Sequence, residues 1–389
     1  MSRFGDGLAT GPDVVAAAVE ATERALAPLG GRLPDLVCAF VAGADPDAVA
    51  TAGVRVAERS GAAAMLGCSA GGVLAGGSAV EGRGAAAVWA AVLPSATVRT
   101  FHLEVMTGGA TAAVLGLPPP AAGDDELVLL LADPWSFPAD GFVAQANTAL
   151  PGVPVVGGLA SGAAAAGGTR LFVDGRVVDR GAVGALITGS GSTALVSQGF
   201  RAVGPPMTVT ASAGNVVRSL AGRRAVDKVE QVVAELPPVD QALASAGLQL
   251  GVAMDEYADD ADYVARSVLG VERDTGGLVV GDVVPVGRTV RLQVRDADAA
   301  DADLRSALAR YRATTRDVPA GGALLFTCNG RGAHLFGASH GGADHDPALV
   351  HAELATQGLA GFFAAGELGP VGGRNHLHGF TASLLAFPG

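Results

Sequence analysis

Two rhythms of apolar residues alternate along this chain. In GPDVVAAAVEATERALAPLG (11–30), Val14, Ala18, Ala21, Leu26 and Leu29 fall on one stripe, with Pro12 and Asp13 ahead and Pro-Leu-Gly behind, which predicts a helix. DLVCAFVAG (35–43) is apolar without a break and predicts a buried strand. DPDAVATAGVRVAERSG (45–61) returns to helical spacing and leads into a strand at AAAML. Strands are predicted at 84–94, 97–105 and 126–134, a helix at 138–150, and a hairpin across the Asp-Gly pair of TRLFVDGRVVDRGAVGALITG (169–189). His102 alternates with Phe101 and Leu103 and is expected to face solvent.

Beyond Ser192 the pattern predicts strands at TALVSQGFR, MTVTASAG, NVVRSL, LQLGVAM, TVRLQVRD, ALLFTCNG, LAGFFAAG (359–366) and HLHGFTASLLAF (376–387), with helices at 223–236 and 301–313. Many of these strands follow one another directly, which excludes a strict βαβ repeat. The expected fold class is therefore α/β of the mixed α+β kind: two tightly packed domains with mixed, largely antiparallel sheets and outer helices. The small, polar ITGSGST segment sets the expected boundary, giving domains 1–190 and 191–389.

Composition narrows the function more than the fold. A net charge of −12 and the absence of a basic stripe exclude a nucleic-acid partner and disfavour an anionic membrane. Cys38, Cys68 and Cys328 are too scattered for a disulfide framework or a paired-cysteine metal site. No signal peptide or membrane-length apolar run is visible, so a soluble, cytoplasmic protein is expected.

Candidate chemistry gathers in two places. MLGCSAGG (65–72) contains a G-x-S-x-G match, raising Ser69 as a nucleophile, but the glycine-broken AGGVLAGG that follows is a poor helix and no oxyanion segment precedes it. VVGGLASG (155–162) resembles it and FFAAGELGPVGG (362–373) is a looser third copy, which suggests an ancient duplication with equivalent strand ends facing one cleft. Each copy is expected to end a buried strand in glycines able to take positive φ and admit a ligand, placing Gly67, Cys68, Ser69, Gly157, Gly158 and Ser161 in a binding site.

The second place is the C-terminal region. LLFTCNGRG delivers Cys328, Asn329 and Arg331 to a strand end, and Glu367, Arg374, Asn375, His376 and His378 follow. An extended 376–378 puts both imidazoles on one face, where a metal with Glu367 as third ligand, a Cys328–His nucleophilic pair, a structural network and ligand recognition all stay open. Arg331 or Arg374 would pair a ligand carboxylate. His334, His340, His345 and His351 are expected to be solvated loop residues. No nucleotide fingerprint is present, and neither a cofactor nor a resident metal is expected.

LGCSAGGVLAGG, VPVVGGLASG, QGFRAVGPPMTVTASAGNVV, LLFTCNGRG, GFFAAGELGPVGG and NHLHGFTASL, in that order over residues 35–387, resemble the FIST family, whose members carry an N-terminal and a C-terminal FIST domain. The resemblance implies an intracellular sensory module for small ligands such as amino acids, acting in signal transduction through a separate protein partner. It names no reaction, so Asn329, Gly330, Arg331, Gly366, Glu367, Gly369, Pro370, His376, His378 and Gly379 carry over as motif positions without roles. A non-enzymatic sensor is the expectation. The alternative is a hydrolase-like enzyme using Cys328, Ser69 or a metal on His376 and His378.

Overall fold

The computed structural model describes residues 1–108, 111–119, 125–254, 263–316 and 318–389. The chain falls into two compact units, Met1–Ser197 with Leu304–Gly389, and Gln198–Asp303. Both combine helices with sheets, mixed in the larger unit and antiparallel in the smaller, as the apolar rhythms predict.

The larger unit writes one topology three times. The first repeat is β1 (Arg3–Thr10), α1 (Val14–Leu26), β2 (Leu36–Ala42), α2 (Pro46–Ser60), β3 (Ala64–Ala70), the hairpin β4 (Gly72–Ala75) and β5 (Ser78–Glu81), and β6 (Ala85–Val92). The second is β7 (Thr97–Gly108) with β8 (Thr111–Leu115), β9 (Glu126–Ala132), α3 (Ala139–Ala149), β10 (Val155–Leu159), the hairpin β11 (Leu171–Val173) and β12 (Arg176–Val178), and β13 (Ala182–Thr188). The third opens with β14 (Thr193–Ser197). The chain then builds the smaller unit from β15 (Phe200–Ala213), β16 (Val216–Leu220), β17 (Arg223–Arg224), α4 (Ala225–Glu235), α5 (Pro238–Ala246), β18 (Leu248–Ala253), β19 (Tyr263–Glu272), β20 (Gly277–Val280) and β21 (Thr289–Arg295). The third repeat resumes with α6 (Ala297–Thr314), β22 (Ala320–Cys328), α7 (Gly332–Phe336), α8 (His345–Leu354), β23 (Gly358–Ala364), the hairpin β24 (Glu367–Val371) and β25 (Arg374–His378), and β26 (Ala382–Pro388).

The sheets run β1-β6-β2-β3, β7-β13-β9-β10 and β14-β26-β22-β23, and in each the last two strands are parallel. No repeat finishes its own sheet. The first repeat's hairpin pairs onto β23, the second's onto β3 and the third's onto β10, so the exchange closes in a ring. The inner faces of all three sheets share one core, in which Phe40 of β2 stacks on Phe362 of β23 at 5.0 Å and Phe362 meets Phe326 of β22 at 5.7 Å. Each outer face carries its own helices: α1 and α2, then α3, then α6 and α8.

Local chemistry sets these elements as the sequence indicates. Asp13 caps α1 through Val15 and Ala16 amides at 3.0 and 3.1 Å, and Asp45 with Pro46 opens α2. The Asp174-Gly175 pair turns its hairpin with φ of 49° and 77°. HLHGFTASLLAF is two strands, not one: Phe380, at φ 61°, turns the chain between β25 and β26.

The glycine motifs differ from expectation in an informative way. Gly67, Cys68 and Ser69 lie inside β3, and Gly157 and Gly158 inside β10; none sits in a strand-end bend. Gly67, Gly157 and Gly361 hold equivalent places opposite Ala39, Leu130 and Leu325 of the parallel neighbour. A Cβ there would stand 2.2, 1.9 and 1.7 Å from that neighbour's carbonyl oxygen. Close approach of two backbones, and not a turn, demands these glycines.

The smaller unit is an antiparallel sheet, β15-β21-β18-β19-β20-β16-β17, in which β15 also pairs with β16 and closes a ring of six strands. Val209, Leu250, Leu278, Leu292 and Val294 fill it. Arg201 bridges Asp240 at 2.6 Å and Asp296 at 2.7 Å. The hydrogen bonds it donates to Asp240 and Asp296 push its guanidinium further up.

Candidate functional site

At the C-terminal ends of β22 and β23 the chain buries more ionisable chemistry than its packing needs. β22 is buried throughout and ends in Cys328; Asn329 and Gly330 turn the chain, and Arg331 stands at the start of α7. Glu81, from the first repeat's hairpin, accepts from the Ala333 amide at 3.0 Å and holds that helix start.

Arg331 is fully buried and grips Asp346 through Nε at 2.7 Å and Nη2 at 2.9 Å. Thr327 donates to Asp346 at 2.6 Å, and His345 Nδ1 lies 2.9 Å from it. Burial alone would raise Asp346, but the Arg331 charge, followed by these hydrogen bonds, holds its carboxyl well below the usual range. The Arg331 guanidinium sits 5.3 Å over the Phe336 ring, on which His345 stacks at 3.6 Å. His345 is thus buried, contrary to the solvated loop expected for it, because α8 begins at His345 and turns it onto Phe336. His334 is exposed as expected.

Glu367 is the second buried ionisable group. It pairs with Gly158 and His378 across its two neighbouring strands, and its Oε2 accepts from the Thr381 amide at 3.1 Å and hydroxyl at 2.9 Å. Burial pushes its carboxyl up to about 8, against hydrogen bonds from Thr381 and Cys328 and the Arg331 charge. Cys328 lies beside it. Burial first, and the Glu367 carboxyl second, push the thiol well above its ordinary range, so it stays protonated and weakly nucleophilic. Arg331 Nη1 has no hydrogen-bond partner, and Glu367 Oε1 has none beyond the weak donor of the adjacent Cys328 thiol.

The strand ends around this cluster meet directly. Ser161 Oγ accepts from the Gly71 amide at 2.9 Å and donates to the Phe363 carbonyl, while the Asn329 amide donates to Ala364 at 2.9 Å. The structure therefore brings together Gly158, Ser161, Cys328, Asn329, Arg331 and Glu367. Gly157 stands opposite Leu368, one step away, and Gly67 and Cys68 pair with β11. Ser69 Oγ accepts from the Arg170 amide at 3.0 Å inside that sheet, with no strand–turn–helix elbow. Asn375 is spent on the backbone of Val155 and Val153 and on Asn147, tying β25 to β10 and α3. His376 and His378 lie 5.7 Å apart on one face, His378 reaching the Gly369 carbonyl at 3.0 Å. Among the described residues no three His, Cys, Asp or Glu side chains group as a metal would require.

Thr327, Phe336, Asp346 and Thr381 complete the cluster and escaped the sequence reading. Asp346 had a signal in the His-Asp-Pro that opens α8; Thr381 had none.

Family models match this chain in two consecutive stretches, the FIST N domain over residues 35–223 and the FIST C domain over 225–370. The chain belongs to the FIST family. FIST domains are associated with sensory signal transduction. An uncharacterised protein of Mycobacterium tuberculosis is 43% identical over 388 residues, covering 99% of both chains. An uncharacterised protein of Mycobacterium bovis is 41% identical over 388 residues, covering 99% of this FIST chain and 98% of the relative. No helix among the described residues is long and apolar enough to cross a membrane.

Proposed function

We propose that this FIST protein is a cytoplasmic sensor that binds an amino acid or related carboxylate at the Cys328–Arg331–Glu367 cluster and signals through a separate protein partner. The observation that carries the reading is a pair of buried atoms of opposite character without a strong partner, Arg331 Nη1, which has none, and Glu367 Oε1, which has at most the weakly donating Cys328 thiol. Leaving such atoms unpaired costs about 1–3 kcal/mol each, and more for charged groups, so native proteins keep them where a ligand completes the bonding. A carboxylate would satisfy Nη1 and an ammonium Oε1, with the exposed Asn329 and the half-buried His376 at the rim. Gly158 stands opposite Glu367, and Ser161 is tied to the neighbouring strand at Phe363. Three free cysteines suit a reducing compartment.

A thermal-shift and calorimetric screen of amino acids, with the matching amines and carboxylates alone, tests this. Ligand at a hundred times its Kd stabilises by about 2.7 kcal/mol. Glu367→Gln should weaken zwitterions while sparing simple carboxylates. Stabilisation by no amino acid, or stabilisation that Glu367→Gln leaves unchanged, sinks the proposal.

A further inference from the structure

The threefold topology points to a second ligand site in the second repeat. Counting three residues on from the strand positions opposite the equivalent glycines, Ala39, Leu130 and Leu325, gives Ala42 in the first repeat, Asp133 in the second and Cys328 in the third. The place that carries Cys328 in the cluster above thus carries a carboxylate here.

Asp133 is 1% exposed. Its Oδ2 accepts from Ser136 Oγ at 2.6 Å, and Ser136 Oγ in turn accepts from the Gly181 amide at 2.8 Å. Its Oδ1 has no hydrogen-bond partner. In front of Ser136 and Gly181 opens a cavity of about 550 Å³, lined further by His102, Glu104, Trp135 and Arg180. That is the size of an ordinary small-molecule site. His102, expected on the solvent side, has a side chain only 16% exposed here and lies 3.3 Å from the Arg180 carbonyl. Trp135 is 52% exposed, although a large aromatic gains most by burial.

We propose that this cavity binds a small organic cation, its charged nitrogen seated over the Trp135 ring and drawn by the Asp133 and Glu104 carboxylates. An aromatic face joined to a carboxylate is the combination that recognises ammonium groups. On the lining Glu104 stands against the exposed guanidinium of Arg180, and the Asp133 carboxylate lies buried behind Ser136, where it adds a second acidic group to that wall. The buried Asp133 Oδ1 behind Ser136 is the acceptor that a protein alone would not leave unpaired.

The chain has two tryptophans, and Trp89 is fully buried against Phe4 and Phe387, so ligand-dependent emission reports on Trp135. The full chain is titrated with choline and putrescine, and with acetate and phosphate as anionic counterparts. Saturable changes with the cations and none with the anions are expected. Asp133→Asn should weaken the cations about tenfold, and Trp135→Leu, an exposed change that spares the fold, should abolish their heat of binding in calorimetry. Glu367→Gln should leave this titration unchanged, which separates the site from the Arg331 cluster. The proposal is overturned if neither cation saturates at millimolar concentration, if the anions bind as well, or if Trp135→Leu binds as the parent does.

Discussion

The first and third repeats of the larger unit share a backbone plan and differ in what they put at its centre. Where β2 ends in Ala42, β22 ends in Cys328; where the first repeat's β4 presents Val73 opposite Phe362, as the second's β11 presents Leu171 opposite Cys68, the third's β24 presents Glu367 opposite Gly158. Val73 and Leu171 belong to the common apolar core, while Glu367 is equally buried and ionisable by type. One repeat shows what the fold needs, and the other what has been added to it. The added groups are costly to bury, so a role besides packing has to account for them.

The largest test of that contrast removes one half of the buried ion pair. Arg331→Met should cost about 3–5 kcal/mol, because Asp346 is left charged and buried, whereas Arg331→Met with Asp346→Leu should recover most of the loss by restoring an apolar interior like the first repeat's. Denaturant melts of the two variants decide it. A double variant as unstable as the single one would show that the pair holds the fold together and is not an addition.

The next test uses pH. Glu367 is held protonated up to about 8, against 4.5 for the free side chain, so the folded state binds the extra proton between those values. Stability from this group is complete below the unfolded value and is lost as pH rises, at up to about 1.4 kcal/mol per pH unit, levelling off above the folded value. Glu367→Leu, which copies Leu171, should flatten that part of the profile and abolish amino-acid binding while leaving the protein more stable at pH 8. An unchanged slope would assign the pH dependence elsewhere.

How much of this contrast was legible in the sequence follows from the kind of force involved. Uninterrupted apolar runs such as DLVCAFVAG and ELVLLLADP announce strands buried on both faces, and capping residues such as Asp13 and Asp45 announce helix starts, because both depend on neighbours in sequence. The three related glycine motifs were visible too, and so was the idea of duplication. Their cause was not, since the carbonyl that excludes a Cβ at Gly67, Gly157 or Gly361 comes from another strand. The hairpin exchange was hidden for the same reason. Among site residues, Cys328, Asn329, Arg331 and Glu367 stood out as polar groups at the ends of apolar runs. Asp133 and Trp135 carry that signature after ELVLLLA, without the third repeat's density of chemistry around them. Asp346 and Thr381 reach the cluster through loops whose course no local pattern fixes.

The smallest expected effect concerns Cys328 itself, and it separates a binding group from a structural one. Its sulfur accepts from the Gly330 amide at 3.4 Å and lies against Glu367, yet the first repeat does with Ala42 at the same place. Cys328→Ala should therefore cost only about 1 kcal/mol, near the centre of the range for single substitutions. Its larger consequence should be on Glu367, which loses a donor that favours its charged form: the pH range over which stability falls should extend upward in this variant. A thiol alkylating reagent should modify the parent slowly at neutral pH, since burial keeps Cys328 in the thiol form. Rapid alkylation of Cys328 would instead restore the nucleophile reading, and would make the third repeat's addition a catalytic one.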